Sequence, residues 1–402
     1  MEYKKIKKFL NKRYDFYIDS LDSRPRYRKK KAKNKNFMLL TDYALNSIHV
    51  KMIERGISCS LYSLQTLINS QFSPIKNPFL MYLNEIDHSD DGVDYIDKIA
   101  SKVATSNNNY FKEVFKKWFV GLVACGIGDG IANENMLIFI GKQGLGKTRW
   151  IESLLPSELN DYFYGDEVNL SNKDHKALFA SKILIHLDEL TTFTRAQVEQ
   201  FKSVLSAKKI TYRRPYDTYT NDYDRRASLI GSSNFKDILI DISGNRRYLC
   251  FEVQSFSDID ENDLKKAYKQ AQQLFEGGYK YYFDSDEILI INENNKKFMK
   301  TDETTEMISS YFQVCDVNNP SAVYMNASEV KQYIETHFKN ANLPKVEIIG
   351  RHLTQLGFKN KKINGISKYV LILKNDEGKD IESTPLRVVQ AHKLINNQVT
   401  IN

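Results

Sequence analysis

The chain has 402 residues, 42% hydrophobic and 12% aromatic, enough to bury a sizeable core in two or three domains, which excludes a disordered chain. Cys59, Cys125, Cys250 and Cys315 stand far apart with no C-x-x-C spacing, so neither a zinc site nor a disulfide framework is indicated and a reducing cytoplasm is expected. No run approaches the ~20 apolar residues of a membrane span, and the lysine-rich N-terminus lacks the apolar stretch of a secretory signal.

The net charge of +8 is unevenly placed. Residues 1–35 hold fourteen Lys or Arg against four acids (+10), residues 324–374 nine against three (+6), and residues 375–402 three against four (−1), which leaves −7 for residues 36–323. Basic ends around an acidic middle are the pattern of terminal modules that touch a polyanion, although solvated lysines in a Lys/Asn-rich composition produce the same totals.

In chain order, residues 1–12 read as a short basic helix, 14–18 as a strand, and 24–35 as a loop or arm too charged for a core. Residues 36–105 read as helical, so 1–105 is expected to be a basic arm with a small helical domain. Residues 84–94, NEIDHSDDGVD, form an acidic turn; without the terminal Glu of an EF-hand, a polar turn is favoured over a Ca²⁺ loop. Residues 110–125 read as a strongly amphipathic helix, expected to pack beside a nucleotide base.

That expectation comes from residues 135–148, NMLIFIGKQGLGKT. The apolar run Met136–Ile140 reads as a buried parallel strand that breaks at Gly141 into G-x-x-x-x-G-K-T. Gly141, Gly144 and Gly146 let backbone N–H groups point inward at a β-phosphate, Lys147 brings a point charge to the β and γ oxygens, and Thr148 ligates Mg²⁺. ATP and Mg²⁺ are the implied ligands. A helix is expected over 147–155, stopped by Pro156.

A second apolar strand, ILIHLDEL, ends in Asp188, placed to hold Mg²⁺ through water, and Glu189, placed to polarise the attacking water. Thr194 starts a helix through a T-R-A-Q capping box, running to about residue 206. Strand 210–216, a polar turn and strand 225–234 follow, and the terminal Asn234 stands where an additive-strand NTPase carries its γ-phosphate sensor. Arg246, with Arg247 as its substitute, is expected to reach a neighbouring subunit's γ-phosphate, for which a planar guanidinium is suited. A helix over 261–275 and an exit strand, GGYKYYF, close an expected NTPase domain, 106–300.

Residues 301–374 read as a separate module with helices 328–338 and 346–356. A strand 369–373 is paired with 359–362 across Asn364-Gly365, a winged-helix pattern. Arg351 and His352 on the second helix and Lys359, Lys361 and Lys362 on the wing are expected to straddle a duplex backbone, contacting few bases. Residues 375–402 are a tail without assignment.

In this order, GKQGLGKT, ILIHLDEL, RRPY, RRASLIGSSN and SGNRRYL resemble the virulence-associated protein E (VirE-type) family of P-loop NTPases over residues 85–300, related to superfamily 3 and AAA+ helicases of phages and mobile elements. The resemblance implies an α/β P-loop NTPase core, AAA+-like, between an N-terminal helical domain and a C-terminal winged-helix-like domain. It implies a ring, usually a hexamer, moving along single-stranded DNA in replication of the element. It places phosphate binding on Lys147 and Thr148, Mg²⁺ on Asp188, water activation on Glu189, sensing on Asn234 and the trans arginine on Arg246 or Arg247. Relatives carry Lys or His at the tip of the hairpin before the sensor strand, whereas here the tip reads Asp217, Tyr219, Asn221, Asp222 and Tyr223. Grip on DNA then falls to stacking by Tyr219 or to Lys208 and Lys209. No primase domain is seen, so priming would come from a separate protein. Two rivals stand beside a helicase or translocase: a non-unwinding initiator or loader, and a regulatory or defence protein that uses the winged helix to hold another protein.

Overall fold

The computed structural model describes residues 2–374 other than 34–35, 88–90, 171, 192–193, 214–218, 241, 301–302 and 339–342, so the tail from residue 375 and Asp217 of the expected hairpin tip lie outside the described residues. The chain divides into two compact units, Met1–Met299 and Lys300–Asn402.

The first unit is built on a six-stranded sheet in the order Val103–Thr105, Tyr248–Phe256, Met136–Ile140, Ser228–Ser233, Leu184–Leu187, Phe163–Tyr164. All neighbours are parallel except the first pair. Its inner strands MLIFI, LIHL and SLIGSS are buried at every position, as a parallel sheet covered on both faces requires. The strand ending at Ser233 lies between the other two, so the residues that follow all three reach one edge of the sheet. The helix Asn108–Ile127 covers the sheet. It is not an amphipathic surface helix: Phe111, Phe115, Trp118, Phe119 and Leu122 are fully buried, because the helix Glu261–Glu276 closes over its far side.

The N-terminal region departs from the helical domain expected. Tyr14–Asp19, Pro25–Lys29, Met38–Leu39 and Ile75–Lys76 form a four-stranded sheet, with the helices Glu2–Arg13, Asp42–Ile53 and Leu61–Ile68 sharing a core of Ile6, Phe9, Phe16, Tyr27, Leu45 and Ile48. The segment expected as a charged arm is therefore in part a strand. Its alternation turns Tyr27 into this core and Arg26 to the other face, where Arg26 is 6% exposed among Asp19 at 3.2 Å, Asp22 at 3.1 Å and Asp161 at 2.7 Å. Burial of a charge is tolerated when it is paired in this way. The helix Tyr95–Ala100 and strand Val103–Thr105 share the main core with Phe79 and Leu83, and Met1–Met299 is one compact unit.

The strand expected over 225–234 begins at Ser228, and a separate two-stranded hairpin, Lys209–Tyr212 with Asn221–Asp224, precedes it, placing Asn221, Asp222 and Tyr223 within a strand and not at a tip. GGYKYYF is no strand: Gly278 sits at φ +82° in a turn that leads into the helix Ser285–Asn295. In the acidic turn, Asp91 pairs with Lys266 at 3.1 Å, while Asp94 caps the next helix and pairs with Lys116 at 2.6 Å, so both carboxylates serve local structure.

The second unit runs helix Glu303–Tyr311, strands Phe312–Val314 and Val323–Met325, helices Ala327–His337 and Val346–Gln355, then the hairpin Asn360–Ile363 with Ile366–Leu373. Asn364 and Gly365, at φ +50° and +81°, make the two-residue turn, and the long last strand also pairs with the two short ones. Ile308, Phe312, Val330, Ile334, Ile349, Leu353 and Leu371 form its core.

Candidate functional site

The site lies at the carboxyl ends of the Met136–Ile140, Ser228–Ser233 and Leu184–Leu187 strands, where open parallel sheets place their ligands. At Gly141 the loop passes so close to its neighbour that a Cβ would meet the Val253 carbonyl oxygen at 2.9 Å. Gly144 and Gly146 take φ of +84° and +85°, open to glycine at little cost, and the turn they permit leads into the helix Lys147–Glu152, shorter than the sequence implies.

Lys147 is 7% exposed, and its ammonium donates to the carbonyls of Gly141 at 2.8 Å and Lys142 at 2.9 Å and to Asn234 Oδ1 at 2.8 Å. Burial lowers its pKa, with the Asp188 carboxylate opposing. The Thr148 hydroxyl donates to Asp188 Oδ2 at 3.0 Å. The other oxygen, Oδ1, accepts from the Ser232 hydroxyl and from the Glu189 backbone N–H at 2.9 Å. Burial acts to raise the Asp188 pKa, but the hydrogen bonds from Ser232, Thr148 and Glu189 outweigh it and hold the carboxyl below its ordinary value. Glu189, exposed, has φ +51°, uncommon for a residue with a Cβ and a mark of local constraint. The next N–H, of Leu190, donates to the Ser232 carbonyl at 2.8 Å and ties this turn to the strand that ends beside Asn234.

The structure thus brings together Lys147, Thr148, Asp188 and Asn234 from three separate segments, with Glu189 beside them. It adds two residues that sequence reasoning missed. Ser232 holds Asp188, and His186, 1% exposed, lies 3.4 Å from the Ser232 hydroxyl and 3.7 Å from Asp188 Oδ1. Burial keeps the His186 pKa below its ordinary value. The available signal was a histidine in an apolar strand two residues before an acid, which strand periodicity puts on the same face. On the other side of the loop a cavity of about 420 Å³ is lined by Arg149, Trp150, Ser153, Phe256, Asp258 and Ile259, with Arg149 and Asp258 paired at 3.1 Å.

Arg246 and Arg247 are elsewhere. They end a 3-10 turn, Ile242–Arg247, at the amino edge of the sheet, where Tyr248 pairs with Met136 and the Arg246 carbonyl accepts from Asn135 at 2.9 Å. A five-residue strand of about 3.3 Å per residue, roughly 16 Å, separates them from the loop of their own chain. Arg247 is held by the Ser206 hydroxyl at 2.9 Å; Arg246 is exposed and, among the described residues, its guanidinium has no partner.

Of the expected nucleic-acid residues, Lys208 and Lys209 sit at the base of the hairpin, Lys209 opposite Asp224, a strand length of roughly 13 Å from the tip, while Tyr219 is near the tip and 74% exposed. In the second unit Arg351, Lys361 and Lys362 are exposed. Lys359 is held by Asp316 at 2.5 Å and His352 lies 3.1 Å from the Thr305 hydroxyl, so neither is a free member of the expected contact set. Among the described residues no group of three or more His, Cys, Asp or Glu is arranged to hold a metal ion, and no helix is long and apolar enough to cross a membrane.

Fold and cluster define a mixed α/β protein whose polar site is assembled at the carboxyl edge of a parallel sheet. The model of the virulence-associated protein E-like domain matches residues 83–308, more than half of the chain, and the chain belongs to that family. Among solved structures it is similar to the apo structure of the NrS-1 C-terminal region, at TM-score 0.48 and 13% identity over 92% of this chain and 98% of that one. It is also similar to SCCmec type IV Cch, described as an active helicase, at TM-score 0.33 and 13% identity over 89% and 92% of the two chains. No curated protein matches the sequence.

Proposed function

We propose that the chain is an Mg²⁺-dependent ATPase that works as a ring, a helicase or translocase on DNA in the replication of a phage or mobile element. The observation that carries this reading is the convergence of Lys147, Thr148, Asp188 and Asn234. The loop N–H groups and the Lys147 ammonium face the β and γ oxygens, and Asn234, bonded to Lys147, lies beside the γ-phosphate. Asp188 and Thr148 would hold Mg²⁺ through two hard oxygens, and the ion would supply neutralisation of the triphosphate's charge. Ser232 and His186 keep the Asp188 carboxylate in place. Since the metal-holding side lies toward Asp188, the nucleoside leaves the loop on the opposite side, toward the cavity walled by Trp150, Phe256 and Ile259. Glu189 orients a water whose oxygen attacks the γ-phosphorus as the bond to the β–γ bridging oxygen breaks, giving ADP and phosphate. Arg246, out of reach of its own loop, serves the loop of the neighbouring protomer.

Lys147→Ala is expected to abolish ATP binding, and Glu189→Gln to keep binding while lowering turnover by ~10²-fold or more. Parent-rate hydrolysis by the Glu189 variant overturns the assignment. Mixing inactive Arg246→Ala with Lys147→Ala protein is expected to restore some turnover, because mixed interfaces join one intact loop to one intact arginine. A monomer by light scattering with ATP and DNA present, turning over at the full rate, overturns the ring. The acidic strand of the hairpin, with Asp222 and Asp224, favours a second reading, a DNA-bound switch or loader that does not unwind. ATPase stimulation by single-stranded DNA together with strand displacement decides for the helicase; stimulation without displacement decides for the switch.

A further inference from the structure

The helix Glu2–Arg13 has two unlike faces. Ile6, Phe9 and Leu10 are buried in the N-terminal core, whereas Lys4, Lys5, Lys7, Lys8 and Lys12 are all exposed. At about 100° per residue these five cations occupy an arc of roughly 160°, shared among the described residues only with Asn11. None of the five is in an ion pair among the described residues, while nearby cations are engaged. Arg26 is bound to three aspartates, Arg28 and Lys30 to Asp15 at 3.0 and 3.3 Å, and Arg13 lies over the Phe9 ring. A second set joins them. The Lys30 N–H donates to the Arg13 carbonyl at 3.0 Å, which seats exposed Lys29, Lys31 and Lys33 beside the end of the helix.

We propose that this face is a docking site for the phosphate backbone of DNA. Like charges packed within a Debye length of one another repel, and a polyanion relieves that repulsion with release of its counterions. A lipid surface fits poorly, because a helix lying in a membrane inserts its apolar stripe, and here that stripe is already buried in the module's own core. A helix-binding protein groove fits poorly for the same reason, since among the described residues no apolar anchors lie on the arc. Lysines are point charges on flexible stems, so the contact holds phosphates and reads no bases. The site is distant in sequence from the Lys147 cluster and does not depend on hydrolysis; that its occupant is DNA rests on the proposed action on DNA.

The test is fluorescence anisotropy of a labelled DNA of about 20 nucleotides, single-stranded and duplex, binding the full chain between about 50 and 200 mM salt. Changing Lys4, Lys5, Lys8 and Lys12 together to Gln is expected to make the log–log salt slope shallower by about 3 and to weaken binding at the low-salt end by roughly ten-fold or more. The same four changed to Arg keep the slope, and Arg28→Gln with Lys30→Gln shifts it by less than about 1. An unchanged slope in the Gln variant overturns the proposal, as does an Arg variant that loses as much as the Gln one, or tighter binding to phosphatidylserine vesicles than to DNA. Should the Gln variant fail to fold, a parent slope shallower than about 3 overturns it alone.

Discussion

Arg225-Arg226 and Arg246-Arg247 are the same dipeptide, each standing just before a buried parallel strand, and the fold uses them in opposite ways. Arg225 is 0% exposed and donates to the carbonyls of Val204, Leu205, Asn133 and Ala227, at distances from 2.5 to 3.2 Å. Two of those carbonyls belong to the last turn of the helix Arg195–Ser206, where carbonyls run short of intrahelical donors; Val204 also accepts from the Ala207 cap N–H, and the five-donor fork answers both. Arg226 binds the Gly128 carbonyl at 2.7 Å and Asp129 at 2.6 Å. Among the described residues Arg246 meets no such carbonyls, and it is exposed. A basic pair before a strand is therefore no functional signal by itself; what decides is whether a helix end needs its donors.

Arg225→Met leaves several buried carbonyls without donors and is expected to cost about 3–5 kcal/mol in chemical denaturation, enough to leave much of the protein unfolded. Arg225→Lys recovers little, since an ammonium cannot span the fork. A Met variant as stable as the parent means that the staple is idle. Arg246→Ala is expected to leave the melting temperature unchanged while lowering ATP turnover by ~10³-fold or more, the scale of a trans arginine; equal turnover returns Arg246 to ordinary surface. Arg226→Ala loses about 1–2 kcal/mol, its Asp129 partner being 82% exposed and weakly held. Arg247→Ala, losing among the described residues its bonds to the Ser206 hydroxyl, is expected to cost about 0.5–1 kcal/mol, with turnover reduced far less than in Arg246→Ala. If Arg247→Ala proves the more damaging to turnover, the two arginines exchange roles.

Features legible in the chain alone are local in origin. The Met136–Ile140 run, the Thr194–Gln197 capping box and the Asn364-Gly365 turn follow from periodicity and from stereochemistry within a few residues, and each stands where the sequence places it. Spacing alone also placed Lys147 and Thr148 in one loop. Tertiary structure decided what depends on residues far apart in the chain. The Ser228–Ser233 strand enters between two earlier ones, which sets Asn234 against Lys147, and Ser232 and His186 become supports of Asp188 only through that pairing. Arg26 is interior because Asp19, Asp22 and Asp161 converge on it, and Lys359 is held because Asp316 lies beside it. A charged side chain carries the same local propensity whether it faces water or a carboxylate. Its role is thus set by desolvation and by partners that only the folded chain brings within reach.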